Sequence, residues 1–189
     1  MTPNDEAAWE VHKVLTDLGI PYAIIGGIAV QHWGEARFTR DLDLTVMIPI
    51  VEQESVLQLI AARLSGRRGD ALAFALRNRI YLAQTTQGFP VDISLALPGY
   101  DDEMVARTVA YPLEPGKSVQ LCSAEDLIIH KAVAGRPQDL RDIEGIIIRQ
   151  AQKLDLAYIR RWLAMFAGWL ESDDVIQRFE QPWRKFQSL

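Results

Sequence analysis

An α/β fold followed by a helical region is what the sequence predicts, on three observations. Two segments alternate apolar and polar residues with the period of a half-buried strand. In Arg40 to Ile48, Leu42, Leu44, Val46 and Ile48 oppose Asp41, Asp43, Thr45 and Met47; in Val91 to Leu97, Val91, Ile93, Leu95 and Leu97 oppose Asp92, Ser94 and Ala96. Helical spacings run before and between these strands, and from Ser123 onward the pattern is helical throughout. The chain therefore divides into a core over residues 1–122 and a C-terminal helical region over 123–189 packed on it.

Each element has its own local signals. Ala8, Val11, Val14, Leu15 and Leu18 repeat at helical spacing and Gly19 supplies a C-terminal cap, which predicts a helix from Asp5 to Leu18. Tyr22 to Ile25, after Pro21, reads as a short buried strand, and Ile28 to Trp33 as a brief helix ending at Gly34. Pro49 ends the Asp-bearing strand, Glu52 to Leu64 is amphipathic, and Gly66 to Asp70 is a polar loop. Ile80 to Thr85 and Pro90 to Leu97 form a hairpin around Gln87-Gly88. A helix over Tyr100 to Ala106, a strand over Thr108 to Tyr111, a turn over Pro112 to Lys117 and a strand over Val119 to Leu121 complete the core. Ser123 caps the next helix, with Glu125 and Asp126 in its first turn. Pro137 suits the first position of the helix after it, and Leu156 to Leu170 is the final predicted helix.

Composition narrows the function. A hydrophobic content of 49% is ample for a packed core, and the single cysteine, Cys122, excludes an internal disulfide and a thiolate zinc cluster. His12, His32 and His130 are scattered, which offers no zinc site. With 20 basic against 25 acidic residues the net charge is −5, a poor match to a protein that coats long duplex nucleic acid. The opening residues carry no charged-then-apolar signal pattern and no apolar run reaches membrane-spanning length, so a cytoplasmic protein without a membrane partner is expected.

The chemistry concentrates in two stretches, Gly26-Gly27 and Asp41-Leu42-Asp43, separated by the thirteen residues Ile28 to Arg40. A glycine pair between an apolar run and a helix lets backbone N–H groups approach phosphate oxygens. Carboxylates at i and i+2 of a strand share a face and can share divalent cations. If the strands bearing Asp43 and Asp92 are neighbours, a third carboxylate joins them.

In these residues the chain resembles the DNA polymerase beta-like nucleotidyltransferase superfamily, whose pattern is a hydrophobic-Gly-Gly/Ser element, an Asp-x-Asp/Glu strand and a carboxylate on a later strand. The fuller string, Gly-Gly-x-Ala and then Arg37-Phe38-Thr39-Arg40-Asp41-Leu42-Asp43, is similar to a prokaryotic branch that includes abortive-infection (AbiEii-like) toxins. Lys131 and the Arg-x-x-Asp-x-x-Asp run Arg136, Asp139, Asp142 also match that branch. The resemblance implies a mixed β-sheet flanked by helices. It also implies an NTP substrate and two Mg²⁺ ions (or Mn²⁺) on Asp41, Asp43 and Asp92, Asp92 helping to deprotonate the attacking hydroxyl. Gly26, Gly27, Arg37, Thr39 and Lys131 would contact the nucleotide, with Arg136, Asp139 and Asp142 behind them. Lys131 itself lies on the apolar side of its helix, where it either snorkels past the core edge or faces the nucleotide; an Arg136–Asp142 ion pair could orient it.

The reaction class this implies is transfer of a nucleoside monophosphate to an acceptor hydroxyl. The acceptor is tRNA or a protein if the chain acts as the toxin of a toxin–antitoxin pair, or a small antibiotic. A nucleotide-binding module without turnover is the third reading.

Overall fold

The computed structural model describes residues 1–188, and these form two units. The first comprises Met1–Ile28 and Phe38–Cys122; the second comprises Ala29–Arg37 and the chain from Ser123 onward.

The first unit contains α1 (Pro3–Asp17), β1 (Tyr22–Ile24) and the first turn of α2 (Gly26–Trp33), then β2 (Leu42–Val46), α3 (Gln53–Ala61) and α4 (Ala71–Asn78). After these come β3 (Ile80–Gln84), β4 (Pro90–Leu95), α5 (Tyr100–Ala106), β5 (Val109–Glu114) and β6 (Lys117–Leu121). The six strands make one sheet in the order β3-β4-β2-β1-β6-β5. Pairs β1–β2, β3–β4 and β5–β6 are antiparallel, while β1–β6 and β2–β4 are parallel, so the sheet is mixed, as expected.

The period-two pattern decides which face is buried. Leu42, Leu44 and Val46 of β2 and Val91, Ile93 and Leu95 of β4 join one core with Ala8, Val11 and Leu15 of α1, Leu57 and Ile60 of α3, and Ala71 and Ala75 of α4. Removing these side chains from water is the main source of the unit's stability. By alternation, Asp43 and Asp92 take the opposite face. Thr2 starts α1 with a capping box to Asp5, and Gly19, at φ +67°, provides the positive φ that ends it.

Several expectations need correcting. Asp41 lies ahead of β2, not inside it, so its direction is not set by the pleat. The helix after Pro49 is shorter: a 3₁₀ turn at Ile50–Glu52 leads into α3, which stops at Ala61. Helix α4 is absent from the sequence reading; eight residues are too few to show a clear helical period. The Pro112 turn is part of β5, which continues to Glu114. β5 is the outermost strand, the position in a sheet that tolerates proline, and the pairing with β6 shifts register between Pro112 and Glu114.

The second unit holds α6 (Ala124–Ala134), α7 (Pro137–Gln150), α8 (Leu156–Leu170) and α9 (Asp174–Gln187), with the rest of α2. Ser123 Oγ accepts from Asp126 N at 3.1 Å to start α6, and Gly135, at φ +64°, closes it. Arg178 of α9 donates from Nη1 to the end carbonyls of Ala132 and Val133, at 2.8 and 3.3 Å. Gly34 is pressed on α7: a Cβ there would lie 3.0 Å from Ile146 Cγ1. Arg149 and Gln150 then donate to the carbonyls of Gly34 and Trp33, both at 2.8 Å. Helix α9 is likewise absent from the sequence reading. Its buried stripe, Val175, Phe179 and Trp183, is only one residue wide, and Pro182 reads as a breaker. Among the described residues no helix is long and apolar enough to cross a membrane.

Candidate functional site

In the first unit the glycine pair is a packing device as well as a turn. Gly26 has φ +64°, and a Cβ on it would run into the Asp43 carboxylate. Gly27 is buried, and a Cβ there would overlap the Thr39 side chain. Ile25 N donates to Asp43 O at 2.9 Å, which fixes the close approach. The two glycines thus make room for Asp43 and for the threonine beside Asp41.

Thr39 replaces the pleat as the device that aims Asp41. Its hydroxyl donates to Asp41 Oδ1 at 3.0 Å and is 3.2 Å from Asp41 O. Asp43 and Asp92 are register partners on the adjacent parallel strands β2 and β4. Partners in register put their side chains on one face, with backbones about 4.8 Å apart. Burial pushes the Asp92 carboxyl above its ordinary range; Arg67 opposes this and the charge of Asp41 adds to it. Asp43 and Asp92 therefore share one face, and the charge of Asp41 reaches Asp92, but the described residues hold no ready-made group of three or more metal-ligating side chains.

Beside these acids stands Arg67, in the loop that follows α3. Its guanidinium forms an ion pair with Asp92 Oδ1. The placement is a consequence of register. Arg67 N donates to Leu82 O at 2.8 Å, Gly66 bridges Ala83, and Gln84 N donates to Ser65 O at 2.9 Å. Residues 65–67 therefore line the outer edge of β3. Leu82 pairs with Asp92, and Asp92 with Asp43, so Arg67, Leu82, Asp92 and Asp43 form one row across the sheet. No local signal in the sequence marks Arg67; only the register brings it there.

As donors the three carboxylates suit a hard divalent cation, since they supply oxygen ligands and excess negative charge. A guanidinium already drawn to Asp92 is a direct sign that this face attracts positive charge. In donor chemistry, though not as a ready-made cluster, these carboxylates are of the kind Mg²⁺ or Mn²⁺ takes.

Lys131, Arg136, Asp139, Asp142 and Arg37 meet in the second unit. Lys131, expected either to snorkel past the core edge or to face the nucleotide, is buried, with 5% of its surface exposed, and its ammonium lies 2.8 Å from both Asp139 Oδ1 and Asp142 Oδ2. Arg136 caps α7 through Asp139, with backbone N and Nε on Oδ2 at 3.1 and 2.7 Å; this replaces the expected Arg136–Asp142 pair. Asp142 instead takes a bidentate fork from Arg37, at 3.0 and 3.1 Å, and a bond from Gln138 Nε2 at 2.8 Å. The network ties residues 29–37 to α6 and α7.

Burial opposes ionisation of Asp139 and Asp142, but bonds from Arg136 and Lys131 to the first, and from Arg37, Lys131 and Gln138 to the second, outweigh it and hold both below the usual carboxylate range. Lowered folded values mean stability that is complete above the unfolded value, about 3.9, and lost as pH falls through the folded values. Urea midpoints measured from pH 6 to pH 2 are thus expected to hold steady to about pH 4 and then fall.

The fold these elements build is similar to that of solved nucleotidyltransferase-like structures. The solved structure of an antigenic nucleotidyltransferase-like protein from Paracoccidioides brasiliensis matches it with a TM-score of 0.52 at 18% identity, covering 94% of this chain and 92% of that one. That of ANT(2")-Ia in complex with adenylyl-2"-tobramycin matches with a TM-score of 0.50 at 16% identity, covering 84% of this chain and 94% of that one. No protein-family model matches the chain, and no curated protein matches it in sequence.

Proposed function

We propose that the protein is a metal-dependent nucleotidyltransferase that moves a nucleoside monophosphate from an NTP to an acceptor hydroxyl. The observation that carries this reading is the pairing of Asp43 with Asp92 on neighbouring strands, beside a glycine turn and an Asp41 aimed by Thr39. Asp41, Asp43 and Asp92 are the residues that would hold Mg²⁺, which when bound neutralises triphosphate charge and favours the attacking alkoxide. Backbone N–H groups at the start of α2 are assigned to the triphosphate. The acceptor oxygen forms a bond to the α-phosphorus, the bond to the bridging oxygen breaks, and pyrophosphate leaves with that electron pair. The acceptor proton passes to Asp92, the carboxylate assigned to help deprotonate the attacking hydroxyl.

For the acceptor, the motif string favours the abortive-infection branch, with a tRNA end or a protein modified and an antitoxin as partner. A second reading, a small cationic antibiotic, is favoured by the net charge of −5 and by the likeness to ANT(2")-Ia. The test is incubation with α-³²P-labelled NTPs and Mg²⁺, offering total RNA, cell protein or aminoglycosides, with Asp43→Ala protein as the blank. Label in RNA or protein that disappears with Asp43→Ala supports the first reading, and label in the drug supports the second. Nucleotide binding without pyrophosphate release on any acceptor would refute turnover.

A further inference from the structure

We propose that Arg67 is a two-position arginine: it holds Asp92 while the acid face lacks metal and nucleotide, and moves to a triphosphate oxygen when both enter. This rests on the metal-and-nucleotide reading above.

Four observations carry it. First, Arg67 reaches Asp92 because residues 65–67 line β3, so its backbone is fixed and only the side chain needs to move. Second, the pair is open to solvent: the Arg67 and Asp92 side chains are 30% and 26% exposed, so the guanidinium can exchange partners without unpacking a core. Third, the neighbouring arginines in and around the loop pair with other acids. Arg68 holds Asp70 at 2.9 Å and lies over the Phe74 ring, Arg77 also pairs with Asp70, and Arg63 pairs with Asp17. Arg67 is the loop arginine directed at the acids. Fourth, a guanidinium and a divalent cation compete for one carboxylate, because each charge repels the other. Once displaced, the planar fork suits a phosphate oxygen pair. The arginine would thus make metal entry and nucleotide entry mutually dependent: a metal alone meets a competitor, whereas metal with triphosphate supplies the guanidinium with a new partner.

The test compares wild type, Arg67→Ala, Arg67→Lys and Asp43→Ala. Mn²⁺ binding is followed by the electron paramagnetic resonance of the free ion, and binding of an α,β-methylene ATP analogue by calorimetry at saturating Mn²⁺. Circular dichroism confirms that each variant is folded. Arg67→Ala is expected to bind Mn²⁺ alone about fivefold more tightly, the range of an exposed ion pair, and the analogue about tenfold more weakly. Arg67→Lys keeps the charge but not the fork, so Mn²⁺ affinity stays near wild type while analogue affinity still falls. Unchanged Mn²⁺ affinity in Arg67→Ala, with Mn²⁺ binding lost in Asp43→Ala, overturns the role of the arginine and leaves the metal site standing. Undiminished analogue affinity in Arg67→Ala overturns its second position. Absence of Mn²⁺ binding in both wild type and Arg67→Ala overturns the metal reading and the inference together.

Discussion

Lys131→Met is expected to lower stability by about 3 kcal/mol, the low end of the cost of breaking a buried ion pair. Lys131 is almost fully buried, and its ammonium is shared between Asp139 and Asp142 at 2.8 Å each. Methionine fills a similar volume but leaves two buried carboxylates with one fewer donor apiece. The cost stays near the low end because Arg136, Arg37 and Gln138 keep their bonds to the same carboxylates. The pH response should change too. With fewer stabilising bonds, the folded pKa values of Asp139 and Asp142 rise toward the unfolded ones, so the fall in stability below about pH 4 becomes shallower. Urea unfolding at pH 7 and at pH 3 measures both effects. A loss below about 1 kcal/mol at pH 7, the size of a surface ion pair, would show that Lys131 is not a structural partner of the two acids.

The parts of the fold that are legible in the sequence are those whose signal is local. Alternation marks β2 and β4 because each strand has one core face, and the same alternation places Asp43 and Asp92 opposite that core. Ser123 and Pro137 announce the starts of α6 and α7, since capping involves neighbours three residues apart. The illegible parts depend on distant pairing. Arg37 meets Asp142 across 105 residues, and Arg67 meets Asp92 across 25, through the pairing of residues 65–67 with β3. The Asp-x-Asp spacing suggests a pleat for both acids, whereas Asp41 is aimed by a threonine outside the strand. Motif matching includes Thr39 without giving it that task.

Gly26→Ala should be the most damaging single-methyl change in the first unit, at about 3 kcal/mol, combining two independent costs. The backbone at φ +64° disfavours any residue with a Cβ, by about 1–2 kcal/mol. The added methyl would also occupy the place of the Asp43 carboxylate. Asp43 cannot retreat by a backbone shift, because its carbonyl accepts from Ile25 and its strand pairs on both sides. Its side chain must rotate instead, away from its register partner Asp92, and nucleotidyl transfer should be lost with it. The two costs separate in a double-mutant cycle. In an Asp43→Ala background the overlap with the carboxylate disappears while the 2.8 Å approach to Cβ remains, so adding Gly26→Ala should cost less than in the wild type, though still more than the backbone share of about 1–2 kcal/mol. Chemical denaturation of the four proteins gives the coupling directly. Strict additivity would mean that the carboxylate's approach is not what requires glycine at position 26, and the close packing of the glycine turn on Asp43 would lose its functional meaning.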